Sequence, residues 1–546
     1  MSETTTGGMR RGAALMASGT AVSRVLGLLR GLVLVAAIAA TGEAANAFSV
    51  ANKLPNILYM LLAGGVLNAV LVPQVVRAYR RDAGQEYVDR LLTLGFAILA
   101  VVTVVLTAAA PLLVQLYTKG GTQAQIDLAV TFAYWCVPQL FFYGAYALLG
   151  QVLNARGSFG PYMWAPVVNN VVSIAGFFVF IAVFGGFDDS GLTAAAAWGP
   201  GQVALLAGSA TLGVVAQALV LLPAMRRAGV HVRFRWGLRG SGLGRAGTVA
   251  TWTFVGLGIG QLAFLVVSRA AWAAEHASGS TGIVAGNAAY DSAFLIFMLP
   301  HSLVTVSLAT ALFTRLSQQA HDADVDGVRA SMSYGLRVVG LFTIIATAVI
   351  AVLAVPVTRI VVLTDPASVD AIAGVVLAMI VGLPFFGAWS LSQRTYYAYE
   401  DAKGMVPIQV AMAVVVVGGT LLGQALLPPS AWVACAGASM SASYALGALV
   451  SQWHLRRRLG TVDGPRVVRT HARALVAALV AVGVGLLTLR VLQSALSGGV
   501  MAAVVECLVV GGLMSAVYVG GLKVLRVAEL DGLLGPVIGR LRAGRR

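Results

Sequence analysis

Long apolar runs recur along the whole chain, separated by short connectors such as "FGGFDDSG" and "LLPPS". A helix needs about 20 apolar residues to cross the hydrocarbon core of a bilayer, so each run predicts one membrane-spanning helix. Gly, Pro, Asp and Ser in the connectors are typical of the turns between such helices. The pattern predicts fourteen spans, near residues 13–40, 46–76, 88–117, 125–154, 160–185, 197–225, 246–274, 284–314, 332–361, 368–398, 405–427, 430–455, 472–495 and 499–525.

Composition also favours an all-α polytopic membrane protein. The 546 residues are 58% hydrophobic and 11% charged, and the mean hydropathy is +0.85. A soluble domain needs more polar surface, and the longest connector, 226–245, is too short to form one. The chain has no G-x-x-x-x-G-K-[ST] loop and no HExxH sequence, which disfavours an ATP-driven pump or an enzyme. The three cysteines lie in apolar runs at unrelated spacings and indicate neither a disulfide framework nor a metal site.

The basic residues predict how the chain is oriented. The formal net charge is +16, which in a soluble protein would suggest a nucleic-acid partner. If the N-terminus is placed in the cytoplasm, 30 of the 37 Lys and Arg residues fall in tails and loops on that side, and three fall on the opposite side. This asymmetry is the positive-inside pattern. We therefore predict that both termini are cytoplasmic, and no nucleic acid is needed to explain the charge.

An internal repeat suggests how the spans are grouped. The segment that begins at Asn46 can be laid without gaps on the segment that begins at Asn287, an offset of 241 residues that carries span 2 onto span 8. Two six-helix halves with two extra helices would produce this offset, and many transporters are built from such repeats. We predict a first lobe over 1–228, a second lobe over 229–458, and a last pair of helices with a basic cytoplasmic tail over 459–546.

Apart from the basic residues already counted with the loops and tails, four lie inside the predicted spans: Arg24, Arg30, Lys53 and Arg269. Each costs roughly 2.5–3.5 kcal/mol at the centre of a helix. Some could extend to the membrane interface or pair with helix carbonyls. However, Asp291 is the only buried carboxylate that we expect opposite them, too few for internal ion pairs. The set favours a water-filled cavity between the lobes that binds an anionic substrate, because the planar guanidinium holds phosphate oxygens in pairs.

Other polar residues in the spans fit the lining of such a cavity. They concentrate in spans 1, 2, 7 and 8, although a single amide often only bonds a neighbouring helix. Prolines and paired glycines in spans 2 and 8 predict hinges, because proline frees a backbone carbonyl and glycine permits bending. His301 could relay protons, although a packed histidine is the simpler interpretation. The predicted substrate-binding residues are Arg24, Arg30, Lys53, Arg269, Asn46, Asn52, Asn56, Asn287 and Asp291, and the predicted hinges are Pro55, Gly64, Gly65 and Pro300.

Four blocks of the chain resemble a known family. They read "MASGTAVSRVLGLLRGLVLVAAI", "NAFSVANKLPNILYMLLAGGVLNAVLVPQ", "LNARGSFGPYMWAPVVNNVV" and "FLIFMLPHSLVTVSLATALFTRLS". They are similar to the MurJ/MviN family of bacterial lipid II flippases, within the multidrug/oligosaccharidyl-lipid/polysaccharide exporter superfamily. The resemblance covers the whole chain. It implies fourteen helices, a groove for the lipid tail formed by helices 13 and 14, and alternating access.

The resemblance also implies roles for particular residues. Arg24, Arg30 and Lys53 match basic positions of the family that would bind the diphosphate of a lipid-linked glycan. Arg269 has no secure family counterpart. The chain departs from the family at several positions: Asn46 replaces a common Asp, Tyr59-Met60 replace an Arg pair, and Gly64-Gly65 replace Glu-Gly. These departures leave the glycan and the coupling ion open.

The sequence therefore predicts a flippase for the lipid-linked peptidoglycan precursor, lipid II. A flippase for another lipid-linked glycan, a cation-coupled exporter and a non-transporting cell-wall scaffold remain alternatives. The basic set disfavours an exporter of organic cations. We expect a monomer in the bacterial cytoplasmic membrane, in contact with membrane lipid. Cell-wall synthesis or division proteins are candidate partners. We expect no metal and no cofactor beyond a coupling cation or the membrane potential.

Overall fold

The computed structural model describes residues 3–62, 84–156, 158–187, 192–230, 233–235, 246–277, 284–363, 366–460 and 462–530. These ranges are helical, with short turns between the helices and no strand within them. The helices are α1 (Glu3–Ile38), α2 (Glu43–Leu62), α3 (Gly84–Ala108), α4 (Ala110–Tyr117), α5 (Gln123–Cys136), α6 (Gln139–Ala155), α7 (Phe159–Phe184), α8 (Pro200–Leu219), α9 (Leu221–Arg227), α10 (Ala246–Ala277), α11 (Asn287–Pro300), α12 (Val306–His321), α13 (Val325–Val352), α14 (Ala354–Val362), α15 (Pro366–Ile380), α16 (Leu383–Ala398), α17 (Ala402–Leu426), α18 (Trp432–Leu459), α19 (Gly464–Ala495) and α20 (Gly499–Val524).

The prediction of a polytopic all-α membrane protein is confirmed. Within the described ranges, eleven helices are long and apolar enough to cross a membrane, or thirteen spans if each of two bent pairs counts as one. The count of fourteen is therefore not established. Part of predicted span 2, including the hinge candidates Gly64 and Gly65, lies outside the described residues.

Two predicted single helices are each two helices with a bend. Span 88–117 divides into α3 and α4, which meet at 67°, and span 368–398 divides into α15 and α16, which meet at 47°. In both cases the second helix carries a proline in its first turn, Pro111 in α4 and Pro384 in α16. Proline lacks the N–H that would continue the preceding helix, and it is well tolerated at a helix start. Hydropathy alone predicts a single helix across such a break because the apolar run continues through it.

The chain forms two compact units, residues 1–288 and 289–546. In the first unit α1 and α8 pack on α7, α2 packs on α5, and α10 packs on α2 and α4. Their shared core is rich in alanine and phenylalanine, with Phe48, Phe132 and Phe180 among the largest fully buried side chains. The contacts thus group α10 with the first unit. The prediction of lobes over 1–228, 229–458 and 459–546 concerns arrangement in the membrane and stays a prediction.

Small residues bring helices of the first unit close together. A Cβ atom at Gly213 of α8 would lie 2.8 Å from the Asn169 carbonyl oxygen of α7. At this crossing Asn169 Nδ2 donates to Gln217 Oε1 at 2.8 Å, and Ser173 Oγ donates to Asn169 Oδ1 at 3.3 Å. Interhelical amide bonds of this kind replace the water that a membrane interior does not supply. Asn169 therefore joins two helices of the unit.

In the second unit the last two helices dock on α13. The Tyr518 hydroxyl of α20 donates to the Leu341 carbonyl oxygen of α13 at 2.7 Å. Gly340 faces the His471 ring of α19 so closely that a Cβ atom there would overlap it. Alanines of α19 and larger side chains of α20, such as Met514 and Leu522, fill the space between the three helices. This docking fixes the position of the α19–α20 pair against the unit.

Candidate functional site: basic and amide groups at membrane depth

Helix α1 carries the first two predicted substrate ligands. Arg24 and Arg30 are both half-buried, on a helix that packs along α7. Asn170 of α7 donates through Nδ2 to the Ser23 carbonyl oxygen at 2.9 Å, which holds the two helices in register. Arg30 lies within electrostatic reach of the Tyr143 hydroxyl on α6. Arg30 and Tyr143 therefore lie in the same region of the unit, and the tyrosine hydroxyl can also donate to an anion.

Helix α2 presents its polar residues on one face. Asn52 and Lys53 are half-buried, and Asn56 is exposed. Tyr59 and Met60 continue the same stripe one turn on, since the five positions span about 120° at 3.6 residues per turn. The Lys53 ammonium lies over the Phe264 ring of α10, with Nζ 4.9 Å from the centroid. Asn52, Lys53 and Asn56 thus lie on one side of α2.

Asn46 and Asn287, which were predicted to line the cavity, are buried in this structure, and their side chains form hydrogen bonds with other residues of the protein. Their exposed fractions are 0% and 1%. Asn46 Oδ1 accepts from the Ala288 backbone N–H at 2.9 Å, while Asn287 accepts from Ser268 Oγ at 2.9 Å and donates to the Ser268 carbonyl at 3.0 Å. Both amides tie the start of α11 to the rest of the first unit. Their contact with substrate stays a prediction.

A carboxylate that the sequence reasoning missed lies at the centre of these bonds. Glu275 Oε2 accepts from Asn46 Nδ2 at 2.7 Å and from Gln125 Nε2 at 3.1 Å. We call Asn46, Gln125, Ser268, Glu275 and Asn287 the Glu275 network. Asp291 is itself half-buried, and Glu506 of α20 is a more deeply buried carboxylate at 3% exposed. Glu275 was missed because span 7 was predicted to end at residue 274, whereas α10 continues to Ala277.

The half of α10 that follows Phe264 is hydrogen-bonded to α4 and to the turn after it. Trp272 Nε1 donates to the Gly120 carbonyl oxygen at 2.9 Å. Arg269 Nη1 donates to the Leu116 carbonyl oxygen at 3.2 Å, in the last turn of α4. A cation at a helix C-terminus stabilises the exposed carbonyl groups and the helix dipole. In this structure Arg269 therefore binds α4, and its role in substrate binding stays a prediction.

The predicted hinges differ in their local structure. Helix α2 runs through Pro55 without a break. Pro300 ends α11 and is followed by a π-helical turn, His301–Thr305, before α12 begins. His301 is buried with its ring 4.2 Å from that of Phe386, so it packs as the simpler interpretation expected. Such turns mark places where a helix is interrupted. Asp291, on α11 in the second unit, is half-buried.

The Glu275 network predicts that a substitution at Asn46 lowers stability and that a second substitution at Glu275 restores it. Asn46→Asp would replace the amide donor with a second carboxylate beside Glu275 Oε2. We expect a loss of about 1–3 kcal/mol in the free energy of unfolding, because Glu275 loses a donor and faces a second negative charge in a buried site. The double variant Asn46→Asp/Glu275→Gln restores a donor between the two side chains and should recover most of the loss. Thermal unfolding of the detergent-purified proteins measures both.

Asn56→Asp is the matched control for this prediction. Asn56 lies on the same helix but is exposed, so we expect a change within about 0.5 kcal/mol. Equal destabilisation by Asn46→Asp and Asn56→Asp, or no recovery in the double variant, would show that the network does not hold these helices together.

Three comparisons with known proteins relate this chain to others. The family model described as "Lipid II flippase MurJ" matches residues 35–506. The probable lipid II flippase MurJ of Vibrio cholerae is 28% identical over 407 residues, 70% of this chain and 71% of the relative. The lipid II flippase MurJ of Burkholderia cenocepacia is 27% identical over 476 residues, 85% of this chain and 87% of the relative. A solved structure described as "Lipid II flippase MurJ, inward closed conformation" superposes with a TM-score of 0.68 at 16% identity, covering 93% of this chain and all of the other.

Proposed function

This chain belongs to the lipid II flippase MurJ family, and we propose that it moves undecaprenyl-diphosphate-linked peptidoglycan precursor from the cytoplasmic to the outer leaflet by alternating access. It is a transporter and catalyses no chemical change in its substrate. Several curated relatives over most of the chain carry the same description, and the fold of a MurJ structure matches nearly the whole chain.

The observation that carries the proposal is the presence of three basic side chains on the first two helices. Arg24, Arg30 and Lys53 are half-buried on the first two helices. Each costs roughly 2.5–3.5 kcal/mol at a helix centre, so such residues are retained where a function needs them. A lipid-linked diphosphate offers several anionic oxygens, and an arginine fork binds two of them at once.

The finer architecture belongs to the same proposal. Fourteen helices would form two six-helix lobes around a central cavity, followed by two helices that guide the lipid tail. Both termini would be in the cytoplasm, and the bacterial cytoplasmic membrane would hold the protein as a monomer. The basic loops support this orientation, because positive residues stay on the cytoplasmic side.

The membrane potential supplies a driving force without a bound cofactor. Moving one elementary charge across 100 mV changes the free energy by about 2.3 kcal/mol. A potential that is negative inside therefore favours the outward passage of a diphosphate. A coupling cation would add to this force.

A second candidate is a flippase for a different lipid-linked glycan. The observation that favours it is the departure from the family's charge set at Asn46, Tyr59, Met60 and Gly64. Asn46 is buried in the Glu275 network, and Tyr59 and Met60 lie on the polar face of α2. Gly64 lies outside the described residues. A changed set of side chains on that face would alter the contacts that are available to the glycan headgroup.

The test is a substrate panel with the purified protein in proteoliposomes. The panel contains fluorescent lipid II, an undecaprenyl-diphosphate-linked polysaccharide repeat unit and an organic cation. We expect lipid II to become accessible to a membrane-impermeant probe faster than in protein-free vesicles, and the organic cation to remain unaffected. In cells, depletion of the protein should cause lipid II to accumulate on the cytoplasmic leaflet.

Each other result selects a different function. Faster movement of the repeat unit than of lipid II would establish the second candidate. Export of the organic cation would establish a drug exporter. Movement of none of the three, with no lipid II accumulation on depletion, would establish a cell-wall scaffold and refute transport.

A further inference from the structure

A cavity in the first unit lies outside every residue assigned above. Its volume is about 460 Å³, and it lies where α6 ends, α7 begins and α9 ends. Small-molecule sites in proteins span about 300–1,000 Å³, so the space suffices for a headgroup-sized ligand. The lining residues are Arg156, Ser158, Pro161, Ala224, Arg227 and Ala228.

The lining is basic and carries no carboxylate among these six residues. Arg156 and Arg227 are both exposed, and each can offer a planar fork to phosphate oxygens. Ser158 does not use its hydroxyl to cap α7, so that group can donate to the same ligand. The chemistry of the lining therefore selects a phosphate-bearing anion.

The wall behind the cavity is a packed core that holds these groups in place. Leu153, Leu221 and Met225 are at most 3% exposed in one apolar cluster, and Ala224 and Ala228 pack against it. At the start of α7, Tyr162 stacks on Tyr146 with ring centroids 4.7 Å apart. The three helix ends that carry the basic groups are thus held at fixed spacing.

A second observation indicates that the ligand comes from a membrane surface. Phe159 and Leu222, next to the lining residues in the chain, are 41% and 42% exposed. In the segment after α9, Phe234 is 78% exposed between Arg233 and Arg235. Apolar rings beside arginines are typical of segments that rest in the headgroup region of a bilayer. A soluble anion would need none of these apolar neighbours.

We propose that this cavity binds the phosphate headgroup of an anionic phospholipid, with Arg156 and Arg227 on the phosphate and the acyl chains along the exposed apolar side chains. Anionic lipids of the cytoplasmic leaflet attract basic groups near the surface. The site is distinct from the half-buried arginines of α1, so its occupancy does not depend on the proposed transport.

The test measures phosphatidylglycerol bound to the full-length protein in phosphatidylcholine nanodiscs. We compare the wild type, the double variant Arg156→Gln/Arg227→Gln, and Arg226→Gln as the matched control, since Arg226 is an exposed neighbour outside the lining. Measurements at 1 M salt reduce the Debye length to about 3 Å and suppress general attraction to exposed charges. We expect binding to be at least about tenfold weaker in the double variant, because each lost guanidinium removes short-range hydrogen bonds to the phosphate that salt screens little, and unchanged within about twofold in the control.

Two results would overturn the proposal. One is an equal loss in Arg226→Gln and in the double variant, which would show general attraction to a basic surface. The other is displacement of phosphatidylglycerol by millimolar inorganic phosphate, which would show a site for a soluble anion. Equal unfolding temperatures for the three proteins confirm that folding does not account for the difference.

Discussion

Alanine at Arg24 or Arg30 is expected to reduce lipid II translocation by at least tenfold while the protein stays folded and inserted. A hydrogen bond to a charged group contributes about 1.5–3 kcal/mol, and loss of a forked contact to the diphosphate removes at least one such bond. Removal of a half-buried arginine also relieves the cost of its charge in the membrane, roughly 2.5–3.5 kcal/mol at a helix centre. Transport should therefore fall far more than thermal stability.

Measuring lipid II flux and thermal stability in the same variants distinguishes a loss of binding from a loss of folding. Arg24→Lys and Arg30→Lys keep the charge without the fork and should retain part of the flux. Arg315→Ala, an exposed residue on α12, serves as the control and should transport at the wild-type rate. Wild-type flux in both alanine variants would refute the assignment of these arginines to the diphosphate, whatever the substrate panel shows.

Leucine at Arg337 is expected to cause the largest loss of stability. Arg337 lies in α13 and is 6% exposed. Its Nε lies 2.8 Å from Glu529 Oε1, and its Nη1 lies 3.3 Å from Asp463 Oδ2. Removal of the cation leaves the buried Glu529 carboxylate without its ion-pair partner, while Asp463 Oδ2 still accepts from Ser333 Oγ at 2.9 Å. Breaking such a pair costs about 3–5 kcal/mol.

Thermal unfolding in detergent measures this loss. Arg458→Ala is the control, because the Arg458–Asp401 pair at 3.1 Å is much more exposed and should contribute no more than about 1 kcal/mol. Arg337→Leu/Glu529→Leu removes both ends of the tighter contact and should recover part of the stability. Equal unfolding temperatures for Arg337→Leu and Arg458→Ala would contradict this role of Arg337.

Arg337 also shows why charge counting from sequence has a limit. In the charge count it is one of the residues assigned to the cytoplasmic side, near the start of predicted span 332–361, and the structure places it in α13 beside the carboxylates of Asp463 and Glu529. Those partners follow it by more than 120 residues. Hydropathy and loop charge describe neighbours along the chain, and they carry no information about which distant carboxylate completes an ion pair.

The Glu275 network shows the same limit at the predicted site. The sequence identified Asn46 and Asn287 as polar residues at membrane depth, and both are buried. It did not distinguish an amide that meets substrate from one that bonds another helix, because both have the same pattern along the chain. The choice depends on Glu275 and Gln125, which reach Asn46 only after three helices pack together.

The sequence by itself determined the membrane class, most span positions and the family. Span 5 was predicted at 160–185 and the helix is Phe159–Phe184, since about 20 apolar residues with polar ends suffice to define a helix in a bilayer. Only the tertiary structure decided the bends between α3 and α4 and between α15 and α16, the π-helical turn after Pro300, and the partners of Glu275 and Arg337. The physical reason is the separation along the chain over which each effect acts. Transfer of a residue into lipid is an additive local free energy, whereas a bend or a buried bond depends on groups that folding brings together from distant parts of the chain.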